Sequence, residues 1–162
     1  MLEDKMETGE EIFNKYSAPC RETLFNQGNI SAEQYEKSKE FQRKTQTPPR
    51  EFLEELHPKA VEDMKEFAEI CKKNMWDAKQ MRNFWINYHN IKVDQTNSPE
   101  HAKEECKVYI ARVLQTIRIN FITKYTIQTI LPNKKETIAI GNIDANPNDH
   151  ITIHKKTAIE KI

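Results

Sequence analysis

Glycine is scarce in this chain, with three residues in 162, so loops are few and helices are expected to dominate. No G-x-x-x-x-G-K-[ST], no G-x-S-x-G and no glycine-rich phosphate loop occurs, which closes the NTPase and serine-hydrolase classes. Cysteine is equally sparse. Cys20, Cys71 and Cys106 make an odd set without C-x-x-C spacing, so reduced thiols in the cytoplasm are the default expectation. No apolar run approaches the roughly 18 residues of a spanning helix. The opening Met1-Leu2-Glu3-Asp4-Lys5 is acidic and lacks the apolar core of a signal peptide. These absences together point to a soluble cytoplasmic protein with no membrane contact and no cofactor.

An excess of one charge is also missing, because 25 basic and 25 acidic side chains cancel. The distribution is uneven, however. Residues 1–100 carry 15 basic and 19 acidic side chains, whereas residues 101–162 carry 10 and 6. Between Cys106 and Lys135 lie Lys107, Arg112, Arg118, Lys124, Lys134 and Lys135, with no acid. This polarity is milder than that of a dedicated nucleic-acid binder.

What is present reads mainly as helix. Thr8 with Glu11 fits a capping box opening a short helix that Pro19 interrupts, and Gly28 ends the stretch after it. Ser31 with Gln34 forms a second capping box, with Ile30 placed to staple against Tyr35. Arg50 to Leu56 supplies one or two turns, and Pro58 suits the first position of a long helix reaching Ile91. Along that helix Val61, Met64, Ala68, Cys71, Met75, Ala78, Arg82, Trp85 and His89 form one seam. Ser98-Pro99-Glu100 opens a further helix whose apolar face is Tyr109, Ile110, Val113, Leu114, Ile117 and Phe121. After Phe121 the period changes. Residues 122–131 are ambiguous between strand and helix, Pro132–Lys135 reads as a turn, and Thr137–Ile140 and His150–His154 read as strands.

The expected architecture is one α+β domain over residues 1–162. A body of four to five helices with a long central helix occupies 1–121. A β-rich subregion, 122–162, forms a C-terminal β-hairpin or three-stranded antiparallel meander.

Arg82 and His89 are the sharpest chemical feature, since burying a cation on an apolar seam demands compensation. Arg82-Asn83 followed by five residues and His89 resembles the R-x(4–6)-H motif of the HEPN ribonuclease family. The resemblance implies a dimeric helical bundle cutting RNA without a metal. Arg82 would stabilise phosphate charge, His89 would transfer protons at the ribose 2′-hydroxyl, and Asn83 would support them. The competing reading is structural, with Arg82 paired to a carboxylate and His89 bonded near a helix end. No metal site is expected: His101 and Glu105 supply only two ligands, and His150 and His154 stand about 13 Å apart on a strand.

The leading expectation is a non-enzymatic interaction or adaptor module, its partner another protein in a homodimer or a heteromer. Trp76, Trp85 and Tyr88 are the candidate anchors. The HEPN-like ribonuclease is the alternative. A third reading is nucleic-acid binding through the basic 106–135 segment, with Lys134 and Lys135 at a hairpin tip.

Overall fold

A computed structural model describes residues 6–162. The acidic opening pentapeptide lies outside the described residues. The chain divides into two compact units, one ending at Trp85 and the other spanning Ile86–Ile162.

The first unit is helical: α1 (Gly9–Ser17), α2 (Arg21–Asn26), α3 (Ala32–Arg43), α4 (Arg50–Leu56), α5 (Pro58–Cys71) and α6 (Ala78–Asn83). Both capping boxes form. The Glu11 amide donates to Thr8 Oγ1 at 3.2 Å while Glu11 Oε2 accepts from the Thr8 amide at 2.7 Å, and Ser31 and Gln34 reciprocate in the same way. Each box satisfies two amides that have no partner inside the helix. Ile12, Phe13, Tyr16, Leu53, Leu56, Met64, Met81, Phe84 and Trp85 fill the core. Phe13 sits at its centre, with ring centroids 5.6 Å from Trp76, Trp85 and His57. Gly9 is required here, because a Cβ would stand 1.9 Å from the carbonyl oxygen of Trp76.

The long central helix does not exist. α5 ends at Lys72, which takes the left-handed conformation (φ 53), a common helix stop. Asn74 then accepts the Trp76 amide at 2.9 Å, and Asp77 caps α6 by accepting from Gln80 N at 2.9 Å. Polar residues at 72–74 and a good cap at 77 cut the seam that the apolar spacing alone would carry through. Phe84–Tyr88 is wound as a π-helical turn, and α7 (His89–Asp94) follows.

The second unit corrects the expected fold. The helix expected over Pro99–Phe121 is only α8 (Glu100–Cys106); Lys107 is extended, and Val108–Ile119 is a twelve-residue strand, β1. With β2 (Ile122–Leu131), β3 (Glu136–Gly141), β4 (His150–His154) and β5 (Thr157–Lys161) it forms a closed barrel in the order β1-β2-β3-β5-β4, not a hairpin or a meander. β1 pairs antiparallel with both β2 and β4. β3 meets β5 in parallel at Ile140 and Thr157. Close approach there explains Gly141, where a Cβ would lie 2.9 Å from that of Ala158. This strand order is the topology of the OB-fold.

A physical reason underlies the misreading of β1. Of the two register shifts between β1 and β2, that at Ile110/Ala111 leaves Ile130 of β2 as the extra residue, and that at Val113/Gln115 leaves Leu114 of β1. The bulge at Leu114 slips the alternation of β1 by one position, so the apolar residues at 109, 110, 113, 114 and 117 imitate helical spacing. The barrel core is Tyr109, Ala111, Val113, Tyr125, Ile127, Ala139, Ala145, Ile151, Ile153 and Ala158. Tyr125 donates its hydroxyl to the Ile143 carbonyl, tying the β3–β4 loop to the core.

Candidate functional site

Arg82 and His89 belong to different units, and each is engaged within its own. Arg82 lies 3.4 Å from Glu7 Oε1, both side chains about a third exposed. His89 Nε2 is 2.9 Å from the Cys106 carbonyl oxygen, and His154 Nε2 reaches the same oxygen at 2.9 Å. The two imidazoles meet edge to face, 5.3 Å between centroids. Asn90 adds to this junction by bonding both the amide and the carbonyl of Val108 at 2.8 Å. His89, Asn90 and His154 therefore pin the step from α8 into β1. Asn83 is exposed at the end of α6.

The aromatic candidates separate in the same way. Trp85 is buried and stacks on Tyr16 at 5.9 Å. Trp76 is half-buried, with the Arg50 guanidinium 4.8 Å from its ring. Tyr88 is half-buried beneath Lys92. Of the two expected tip lysines, Lys134 is exposed. Lys135 instead reaches Glu104 at 3.7 Å and covers the Tyr109 ring at 4.7 Å.

Glu104 is a polar hub that its sequence position alone does not reveal. It accepts from the Tyr109 hydroxyl at 2.7 Å, from Asn133 Nδ2 at 3.1 Å and from Lys107 Nζ at 3.1 Å. These bonds, the tyrosine's foremost, hold its carboxyl down at about 2. Lys107 also binds Asp94 at 2.9 Å, and that bond is the main cause raising its ammonium above the usual lysine value. Burial first and Glu104 second push the Tyr109 phenol upward. The bonds to Glu104 and Lys107 stabilise the charges these two side chains carry.

The outer face of β1, β2 and β3 has a different character. Alternation puts Tyr125, Ile127, Thr129 and Ala139 inside and their neighbours outside. Pairing then sets Ile119 beside Ile122, Ile117 beside Lys124 and Lys124 beside Ile140, with Thr126 beside Ile138 in the next row. Ile117, Ile119, Ile122, Ile138 and Ile140 are 41–60% exposed, and Phe121 at the hairpin turn is 85% exposed. Exposed aliphatic side chains gathered on one sheet face, with Phe121 at the turn beside them, are the kind of feature that marks an interaction surface. The sequence reading missed this face because it assigned Ile117 and Phe121 to the buried side of a helix. An aliphatic residue at every second position on either side of Asn120-Phe121 was the available signal.

No protein family, curated protein or solved structure matches this chain.

Proposed function

We propose that this protein is a non-enzymatic interaction module whose partner protein packs on the aliphatic outer face of β1–β2–β3. The observation that carries this reading is the exposure of Ile117, Ile138 and Ile140 on one face, with Lys124 between Ile117 and Ile140. Leaving these side chains in water forgoes about 25 cal/mol for each Å² that a partner would cover. The groups that would serve an RNA-cleaving site are already occupied, Arg82 by Glu7 and the His89 Nε2 by a backbone carbonyl. An OB topology alone does not assign function. Nucleic acid read on such a face relies on aromatic stacking platforms, and here aliphatic side chains, with Lys124 among them, occupy the exposed face of β1–β2–β3.

The test compares wild type with the Ile138→Asp/Ile140→Asp double variant, both checked for folding by far-UV circular dichroism. Light scattering measures self-association, and cross-linked pull-down identifies a bound protein. Self-association or one stoichiometric partner, lost in the variant, supports the reading. A monomeric wild type that captures the same proteins as the variant refutes it.

A further inference from the structure

The β1–β2 hairpin extends the aliphatic face into a tip of its own. Asn120, in the left-handed conformation (φ 55), turns the chain, and Phe121 projects from that turn at 85% exposure. Ile119 and Ile122, a cross-strand pair, sit directly behind it at 60% and 57%. The next residues along each strand are charged or polar: Arg118 pairs with Thr123, and Lys124 with Ile117. Strand alternation sends Arg118 and Lys124 to opposite faces of the hairpin, and both are exposed. Asp144 shares a cleft with Arg118. The hairpin itself contains no acid from Val108 to Leu131.

We propose that this tip inserts into the interfacial region of an anionic lipid bilayer. The proposal rests on Ile119, Phe121 and Ile122, and leaves Ile117, Ile138 and Ile140 to the protein partner proposed for the sheet face. Three geometric features support it. The most exposed aromatic of the hairpin is at its outermost point, with aliphatic side chains next and cations behind them. At about 3.3 Å of rise per residue, Lys124 stands roughly 10 Å behind Phe121. Interfacial segments bury their apolar side about 5–10 Å into the headgroup and acyl boundary, so the cations come level with the lipid phosphates when Phe121 reaches the acyl chains. Cations on both faces of the hairpin suit a surface that surrounds it. A protein pocket recognising one face would need only one. That no helix among the described residues is long and apolar enough to cross a membrane does not bear on a hairpin tip, which penetrates one leaflet.

Cosedimentation with vesicles tests this on the full chain. Vesicles of equal parts phosphatidylcholine and phosphatidylglycerol are compared with phosphatidylcholine alone, at low and high salt. Wild type is expected to bind the anionic vesicles at low salt and to release them as salt screens the cations. Phe121→Ser, a change at an exposed turn, should weaken partitioning about tenfold or more. Arg118→Glu/Lys124→Glu should weaken it at least as much, while the uncharged change Ile138→Ser, set one row farther back beside Thr126, should keep it within about twofold. No cosedimentation by wild type at low salt overturns the proposal, as does equal binding to phosphatidylcholine alone. A Phe121→Ser variant that binds like wild type overturns it too. Loss of a protein partner in Phe121→Ser, with no vesicle binding by wild type, would give the tip to that protein.

Discussion

Replacing Glu104 by Gln should destabilise the barrel at neutral pH and leave it almost unchanged near pH 2. The Glu104 carboxyl titrates at about 2 in the folded chain against a reference of 4.5. At 1.36 kcal/mol per unit this difference is about 3 kcal/mol at full value. The side chain is 31% exposed, and screening by solvent reduces the expected contribution to about 1–2 kcal/mol. A depressed pKa stabilises the fold above the unfolded value and stops doing so once the folded group is protonated. The contribution is therefore fully present above about pH 5 and disappears between 4.5 and about 2. The glutamine variant lacks it at every pH. Tyr109→Phe removes the largest cause of the shift while keeping the ring, so it should raise the Glu104 pKa and move the acid loss to higher pH. Amide exchange along β1 and β2 in urea is the appropriate assay, because Trp76 and Trp85 both lie in the helical unit and their fluorescence does not read the barrel. A stability deficit in Glu104→Gln that is equal at neutral pH and at pH 2 would refute the charge argument. So would a variant as stable as wild type.

Three further outcomes are expected. Gly9→Ala should cost roughly 2–4 kcal/mol or prevent folding of the helical unit, since its methyl would collide with the Trp76 carbonyl; a thermal midpoint within a degree or two of wild type would contradict the packing of α1 described above. Arg82→Ala should cost no more than about 1 kcal/mol, because its bond to Glu7 is long and both side chains are about a third exposed. Purified wild type should leave RNA intact in EDTA, and cleavage lost in both folded Arg82→Ala and His89→Ala would restore the nuclease reading.

Local signals carried much of the first unit. Thr8, Glu11, Ser31 and Gln34 mark helix starts through bonds made within three residues, and Pro58 through its fixed φ, and these local preferences hold wherever the chain goes afterwards. Tertiary information was less accessible. The stop at Lys72 depends on a lysine in left-handed backbone, which no composition rule assigns to lysine. The bulge at Leu114 disguised β1 as a helix, and with β1 misplaced the barrel could not be assembled. β4 was recovered from its alternation, whereas β5 (Thr157–Lys161) shows little regular alternation: Ala158, Ile159 and Glu160 are buried in succession. Of the candidate residues, Lys135 and His89 attracted notice for charge. The partners that define their surroundings, Glu104, Tyr109 and His154, come from distant elements that only the fold brings together.

The arrangement of β1 also bears on how quickly each part of the chain becomes ordered. Every helix of the first unit closes through contacts a few residues apart. β1 joins β2 across a two-residue turn, yet its other edge waits for β4, with Val108 meeting His154 and Arg112 meeting His150. Pairings of such large sequence separation require loop closure before any stabilising contact forms, and they slow folding. The tryptophans are subject to the same delay, since Trp76 and Trp85 pack on Phe13 of α1. Until β4 docks, the β1–β2 hairpin holds one edge unpaired.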